Sequence, residues 1–184
     1  MIRLIKRLFT LLVTLVLLAA FGYFVVLPRV LPKTYQNYVE ACAIQYQLPQ
    51  SLIYAVIFSE SHFEPNAVSS AGAIGLMQVT EETGWWAAAQ MGMNADTLDL
   101  TDPETNIRIG CWYLSWLDKK FNGVQETMLA GYNAGHGNVM KWLADEEKSQ
   151  DGLTLDEIPF GETKLYVKKV ALLEKIYRAV YRLS

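Results

Sequence analysis

From Leu8 to Leu27 the sequence reads LFTLLVTLVLLAAFGYFVVL, twenty residues without a charged side chain. As a helix this run rises about 30 Å, enough to cross the hydrocarbon core of a bilayer. Two readings compete. The basic start at Arg3, Lys6 and Arg7 and the small residues Ala19 and Ala20 would suit a cleaved signal peptide. The apolar run nevertheless continues through Phe21, Tyr23, Phe24, Val25 and Val26, past the roughly 7–15 residues of a signal's apolar region, which favours a retained anchor. Arg3, Lys6 and Arg7 before the span, against Arg29 and Lys33 after it, give a slight preference for the amino end inside.

Beyond the run, charge and patterning narrow the remaining classes. Residues 1–32 carry four basic residues and no acidic ones, which leaves twelve Lys and Arg against nineteen Asp and Glu, a net charge of −7. An acidic domain with no basic stripe is a poor nucleic-acid binder, and it is expected to be repelled from anionic lipid despite being tethered beside it. With 52% of residues hydrophobic and 19% charged, there is apolar surface enough for a core, and neither disorder nor a fibrous repeat is expected. Cys42 and Cys111 lack metal-ligand spacing. They fit either one disulfide or two buried free thiols.

The chain divides into a transmembrane anchor over 1–28, a connector over 29–33 and a helical domain over 34–184. Pro28 and Pro32 bracket what reads as an extended connector. Apolar residues at helical spacing predict helices over 34–47, 51–62, 81–91, 124–134, 138–143 and 163–183. Thr101-Asp102-Pro103-Glu104 predicts a helix start with Thr101 and Glu104 as a capping box, running to about Phe121. An acidic loop spans 145–161. No useful length alternates at period two, so the expected fold class is all-α.

Glu60 ends the most apolar of these helices, after Tyr54-Ala55-Val56-Ile57-Phe58-Ser59. A carboxyl there loses hydration, which favours its neutral form and suits a general acid. The plainer alternative is a helix-terminal Glu that reaches solvent or pairs with His62 or a lysine. Downstream, glycines 72 and 75 allow backbone to approach a ligand, and Gln78 offers a donor and an acceptor. Tyr132-Asn133 sets a phenol beside an amide ahead of a helix break at Gly135. Trp112 and Trp116, four apart, read as core, whereas Trp85 and Trp86 are candidates to contact a ligand.

Taken in order, Glu60-Ser61, Asn66 with Ser69, Gly72-Ala73-Ile74-Gly75-Leu76-Met77-Gln78, Asp102-Pro103-Glu104-Thr105-Asn106-Ile107, Tyr132-Asn133-Ala134-Gly135 and Glu162-Thr163-Lys164-Leu165-Tyr166-Val167 resemble the soluble lytic transglycosylase family. The resemblance runs from about Tyr35 to Leu183. It implies a lysozyme-like helical domain that cuts the β-1,4 bond between N-acetylmuramic acid and N-acetylglucosamine of peptidoglycan and leaves a 1,6-anhydro ring, with no metal and no cofactor. It implies Glu60 as the single catalytic acid and Ser69 as a hydrogen-bonding neighbour of that acid. Met77 and Gln78 would line the saccharide groove, Tyr132 and Asn133 would face the cleaved sugar, and Glu162 and Tyr166 would close the site. With the anchor, the expected location is the bacterial cell membrane, single-pass, with the catalytic domain on the wall side. His136 stands where the family often has proline.

One acid departs from the common glycosidase scheme, which sets two carboxylates about 5–5.5 Å or about 6.5–9.5 Å apart. Glu64 follows Glu60 by four positions, but Phe63 and Pro65 argue against a continued helix, and Glu162 is the other candidate partner. Rival readings on the same fold are a water-using muramidase and a non-catalytic peptidoglycan-binding module.

Overall fold

The uncharged run folds as helix α1 (Ile2–Phe21), passes through a wide π-turn (Gly22–Val26) and continues into α2 (Leu27–Val30). The computed structural model describes residues 2–94 and 97–183 and separates into one unit up to Thr34 and another from Tyr35 on. In the first unit Lys6–Val26 is long and apolar enough to span a membrane. Its large side chains, Leu8, Phe9, Leu17 and Phe24 among them, point outward. The two threonines in the run cost little there, because Thr10 and Thr14 each donate their hydroxyl to the carbonyl four residues back, at 2.9 Å.

The extended connector expected after Pro28 begins later. Pro28 lies in the first turn of α2, where a missing N–H is least costly, so the chain stays helical to Val30 and extends only from Leu31 onward.

In the second unit, α3 (Gln36–Tyr46) and α4 (Gln50–Ser61) are separated at Gln47, whose φ of 57° ends the first, and Pro49, whose extended backbone caps the second. Residues 51–57 of α4 are all buried, as a helix apolar on nearly every side must be. Around it stand α5 (Glu81–Gln90), α6 (Pro103–Lys120), α7 (Gln125–Ala134), α8 (His136–Leu143) and α9 (Gly161–Tyr181). The last helix packs along α4 and α7, while α6 packs on α3 and α7. The class is all-α. A minimal hairpin, β1 (Ala73–Ile74) with β2 (Val79–Thr80), is too short for a period-two pattern to register.

The start of α6 differs from expectation by one residue. Asp102, not Thr101, is the cap and accepts from Thr105 N–H at 2.9 Å. Pro103 fixes the first helical residue, so the cap must be its neighbour. Thr101 is turned outward onto Asp99, to which it gives both its N–H and its hydroxyl. Cys42 and Cys111 are buried free thiols, on α3 and α6, that neighbour one another.

Candidate active site

The apolar length of α4 delivers Glu60 to the helix end, where the chain turns sharply. His62 and Phe63 both have left-handed backbones, with φ of 53° and 67°. Buried Ser61 ties this end down, its Oγ donating to Leu76 O at 2.8 Å. His62 packs its ring on Phe58, and Glu64 accepts from Asn66 N–H in an exposed turn. Neither is paired with Glu60.

The segment facing this helix end is organised by one buried amide. Asn106 on α6 accepts from Met77 N–H at 2.7 Å and donates to Ile74 O at 2.9 Å and Leu100 O at 2.8 Å. Gly75 has φ of 80°, and a Cβ there would come within 2.3 Å of the Asn106 amide nitrogen, so glycine is required on both counts. Gln78 also sits left-handed, at φ 49°. Its Nε2 donates to Ala67 O at 3.1 Å and Gly75 O at 3.0 Å. Both donors are thus spent on the loop, and Oε1 is the atom left to meet a ligand.

Two of the expected site residues serve the scaffold. Met77 is 0% exposed, and a Cβ added to Gly110 would lie 2.5 Å from its sulfur. Its side chain is therefore core and not groove lining. Its backbone carbonyl nevertheless accepts from the Tyr132 hydroxyl at 2.8 Å. Ser69 Oγ accepts from Ala73 N–H at 3.0 Å and closes the loop before β1. No hydrogen bond joins it to Glu60 among the described residues.

Helices α7 and α9 supply the opposite side. Asn133 Oδ1 accepts from the hydroxyl of buried Thr163 at 2.7 Å, which fixes the amide's orientation. Lys169 reaches from α9 to Ser59 O at 3.1 Å. Burial pushes the Glu60 carboxyl up to about 7. The Tyr166 hydroxyl and the Lys169 charge pull it partly back, and Glu162 adds to the rise. Desolvation wins, which leaves the acid poised near neutrality. The buried Tyr166 hydroxyl faces the Glu60 carboxyl without a fully aligned bond to it. Burial and the nearby Glu60 hold both Tyr132 and Tyr166 well above the usual phenol range, so both remain donors. Among the described residues no group of three or more His, Cys, Asp or Glu could hold a metal ion.

This arrangement joins Glu60, Tyr132, Tyr166, Glu162 and Lys169 electrostatically, with Gln78 and Asn133 fixed beside them in the flanking segments. Residues 37–154 match the model of the transglycosylase SLT domain. The chain belongs to that family. The SLT domain here is 33% identical over 150 residues to the soluble lytic murein transglycosylase of Escherichia coli strain K12, covering 80% of this chain and 23% of that one. It is 32% identical over 167 residues to membrane-bound lytic murein transglycosylase C of Sodalis glossinidius, covering 78% and 46%. Among solved structures, an inactive mutant of lytic transglycosylase Slt from Pseudomonas aeruginosa superposes with a TM-score of 0.75. It is 34% identical, over 85% of this chain and 26% of that one. The complex of the 70-kDa soluble lytic transglycosylase with bulgecin A gives 0.73 at 30% identity, over 83% and 25%. The chain thus spans about a quarter to a half of the length of these relatives.

Aromatic residues in this SLT domain sort differently from their spacing. Trp86 meets Trp112 at 5.0 Å and Trp116 at 4.9 Å, edge to face. All three are half-buried, so the pair expected in the core is a ledge. Trp85 is 53% exposed and lines a cavity of about 670 Å³ with Ile74, Glu81 and Leu98–Thr101. That cavity does not include Glu60. His136 is the first residue of α8, a position proline suits, and its ring rests on Trp116 at 5.1 Å. Sequence reasoning missed Lys169 and Thr163. Lys169 lies seven residues after Glu162 and three after Tyr166, on the same side of α9, a spacing that could have revealed it.

Proposed function

We propose that this chain is a membrane-anchored peptidoglycan lytic transglycosylase. The observation that carries the reading is a half-buried carboxylic acid, Glu60, held near neutrality by burial and ringed by phenols, in an SLT domain. Glu60 donates its proton to the glycosidic oxygen as the bond from the muramyl C1 to that oxygen breaks. The substrate's own N-acetyl group stabilises the cation, in place of a second protein carboxylate. Glu60, now a carboxylate, takes the proton of the substrate's 6-hydroxyl, and that oxygen closes on C1. Proton and bond counts balance with no water consumed. Tyr132, Tyr166, Asn133 and the Gln78 Oε1 bind and orient the sugars, while Glu162 and Lys169 oppose one another in setting the acid's strength.

The anchor reading places residues 8–27 in the membrane, crossing once, with the SLT domain on the wall side. The membrane-bound name of the Sodalis relative and the apolar helix support membrane association.

The acid must be protonated to start the reaction, so activity is full below about pH 7 and declines above it, approaching tenfold per pH unit. Release of soluble fragments from purified wall, followed from pH 4 to 9, measures this. A falling limb centred near 7 is expected. A limb near 4.5, the ordinary carboxyl value, would mean that the acid is not desolvated as described.

A further inference from the structure

The charge sum of the domain conceals a segregation. Of the twelve basic residues after position 32, five lie on α9 and a sixth, Arg182, caps it. Glu162 and Glu174 are the acidic residues of that segment, and Glu174 is buried. Residues 161–182 therefore carry +4, and the rest of the domain −11. The same helix exposes apolar side chains that its core packing does not use: Leu165 at 70%, Leu172 at 60% and Ile176 at 38%. Their spacing of seven and four residues places them in one stripe, opposite the buried Tyr166, Val170 and Tyr177. Lys168 and Lys175, both exposed, border one side of the stripe, while Lys169 on the other side is held at Ser59 O and belongs to the site.

We propose that the outer face of α9 is a docking surface for an anionic lipid bilayer, so that the domain rests on the membrane through this helix despite its net negative charge. An apolar stripe flanked by lysines is the pattern of a helix lying in a membrane interface, with leucines entering the acyl boundary and ammonium groups reaching the headgroups. Other occupants fit less well. A polyanionic polymer would satisfy the lysines and leave the stripe in water, and a second copy would set like charges against one another. The proposal rests on the reading of residues 8–27 as a span, which brings the domain close to lipid, and it adds an orientation that the span alone does not impose.

The test uses the full chain reconstituted into vesicles of phosphatidylcholine alone or with phosphatidylglycerol. A fluorophore is attached at Ala179→Cys on the exposed face of α9 or, as a control, at Gln150→Cys, the native thiols being buried. Quenching by lipids labelled in their acyl chains should be severalfold stronger at 179 than at 150 in the anionic vesicles. It should fall in 1 M salt, where the screening length shrinks from about 10 to about 3 Å. It should be lost with Lys168→Glu and Lys175→Glu together, a pair that leaves Lys169 and the site intact. Equal quenching at the two positions, or quenching indifferent to lipid charge, would overturn the docking face and leave the span standing. Energy transfer between labels at 179 on two copies, in place of quenching, would make the face a dimer contact and overturn it too. A chain that floats with neither vesicle would overturn both docking face and span.

Discussion

Glu60→Gln is expected to lower wall cleavage by about 10²–10⁴-fold, the usual range for loss of a general acid–base group, while the fold is retained. The amide keeps the size of the carboxyl and cannot deliver its proton. Stability should move in an informative direction. The folded protein holds the Glu60 proton up to about pH 7, whereas the unfolded chain gives it up near 4.5. The folded state thus binds more protons across that interval, and the parent loses stability as pH rises through it. The Gln variant has no such loss. Its melting temperature should match or exceed the parent's at pH 8, and the difference should shrink toward pH 4. Full activity in the variant would remove Glu60 from the chemistry, and a melting temperature well below the parent's at pH 8 would contradict the burial argument.

Asn106→Leu is expected to cost more stability than any substitution within the acidic centre itself. The amide of Asn106 satisfies one N–H and two carbonyls from three separate parts of the loop, those of Met77, Ile74 and Leu100. Leucine has similar volume and no polar atom, so all three backbone groups are left buried and unpaired at roughly 1–3 kcal/mol each. A total of about 3–9 kcal/mol is a large share of the roughly 5–15 kcal/mol that holds a typical domain together. Activity should fall with it, because the loop carries Gln78 and the Met77 carbonyl on which the Tyr132 hydroxyl is placed. Urea unfolding of the domain measures the effect. A loss below about 1 kcal/mol would mean that water or a shifted loop replaces the amide.

The helices were legible in the sequence because each carries its own apolar rhythm and ends at a residue with a physical reason to end it, such as Gln47, His62 or Gly135. Glu60 was legible because its helix is apolar on all sides, so that the one carboxyl at its end stands out. Motif order singled out segments that the fold brings toward one another and could not tell which atoms of a residue matter. Met77 illustrates this: its side chain is core against Gly110, and its contribution is a backbone carbonyl. Gln78, left-handed at its own backbone, spends its donors on its own loop. Ser69 likewise turns its hydroxyl to its own loop, where it accepts from Ala73 N–H. Trp112 and Trp116 have core spacing, yet Trp86 from another helix turns them into a half-buried ledge, a tertiary fact without local signal. The net charge of −7 was correct as a sum and misleading as a surface, since α9 and its cap Arg182 gather half of the domain's basic residues at one helix.

The most direct test of the central claim, that Glu60 returns the reaction to the substrate's own hydroxyl in place of water, is the mass of the ends it produces. Purified peptidoglycan digested to completion by the full chain should yield fragments ending in 1,6-anhydro-muramyl residues, which resist borohydride reduction and are lighter by one water than their hydrolytic counterparts. Fragments carrying only reducible ends, heavier by that water, would identify a muramidase on the same fold and contradict the proposed chemistry.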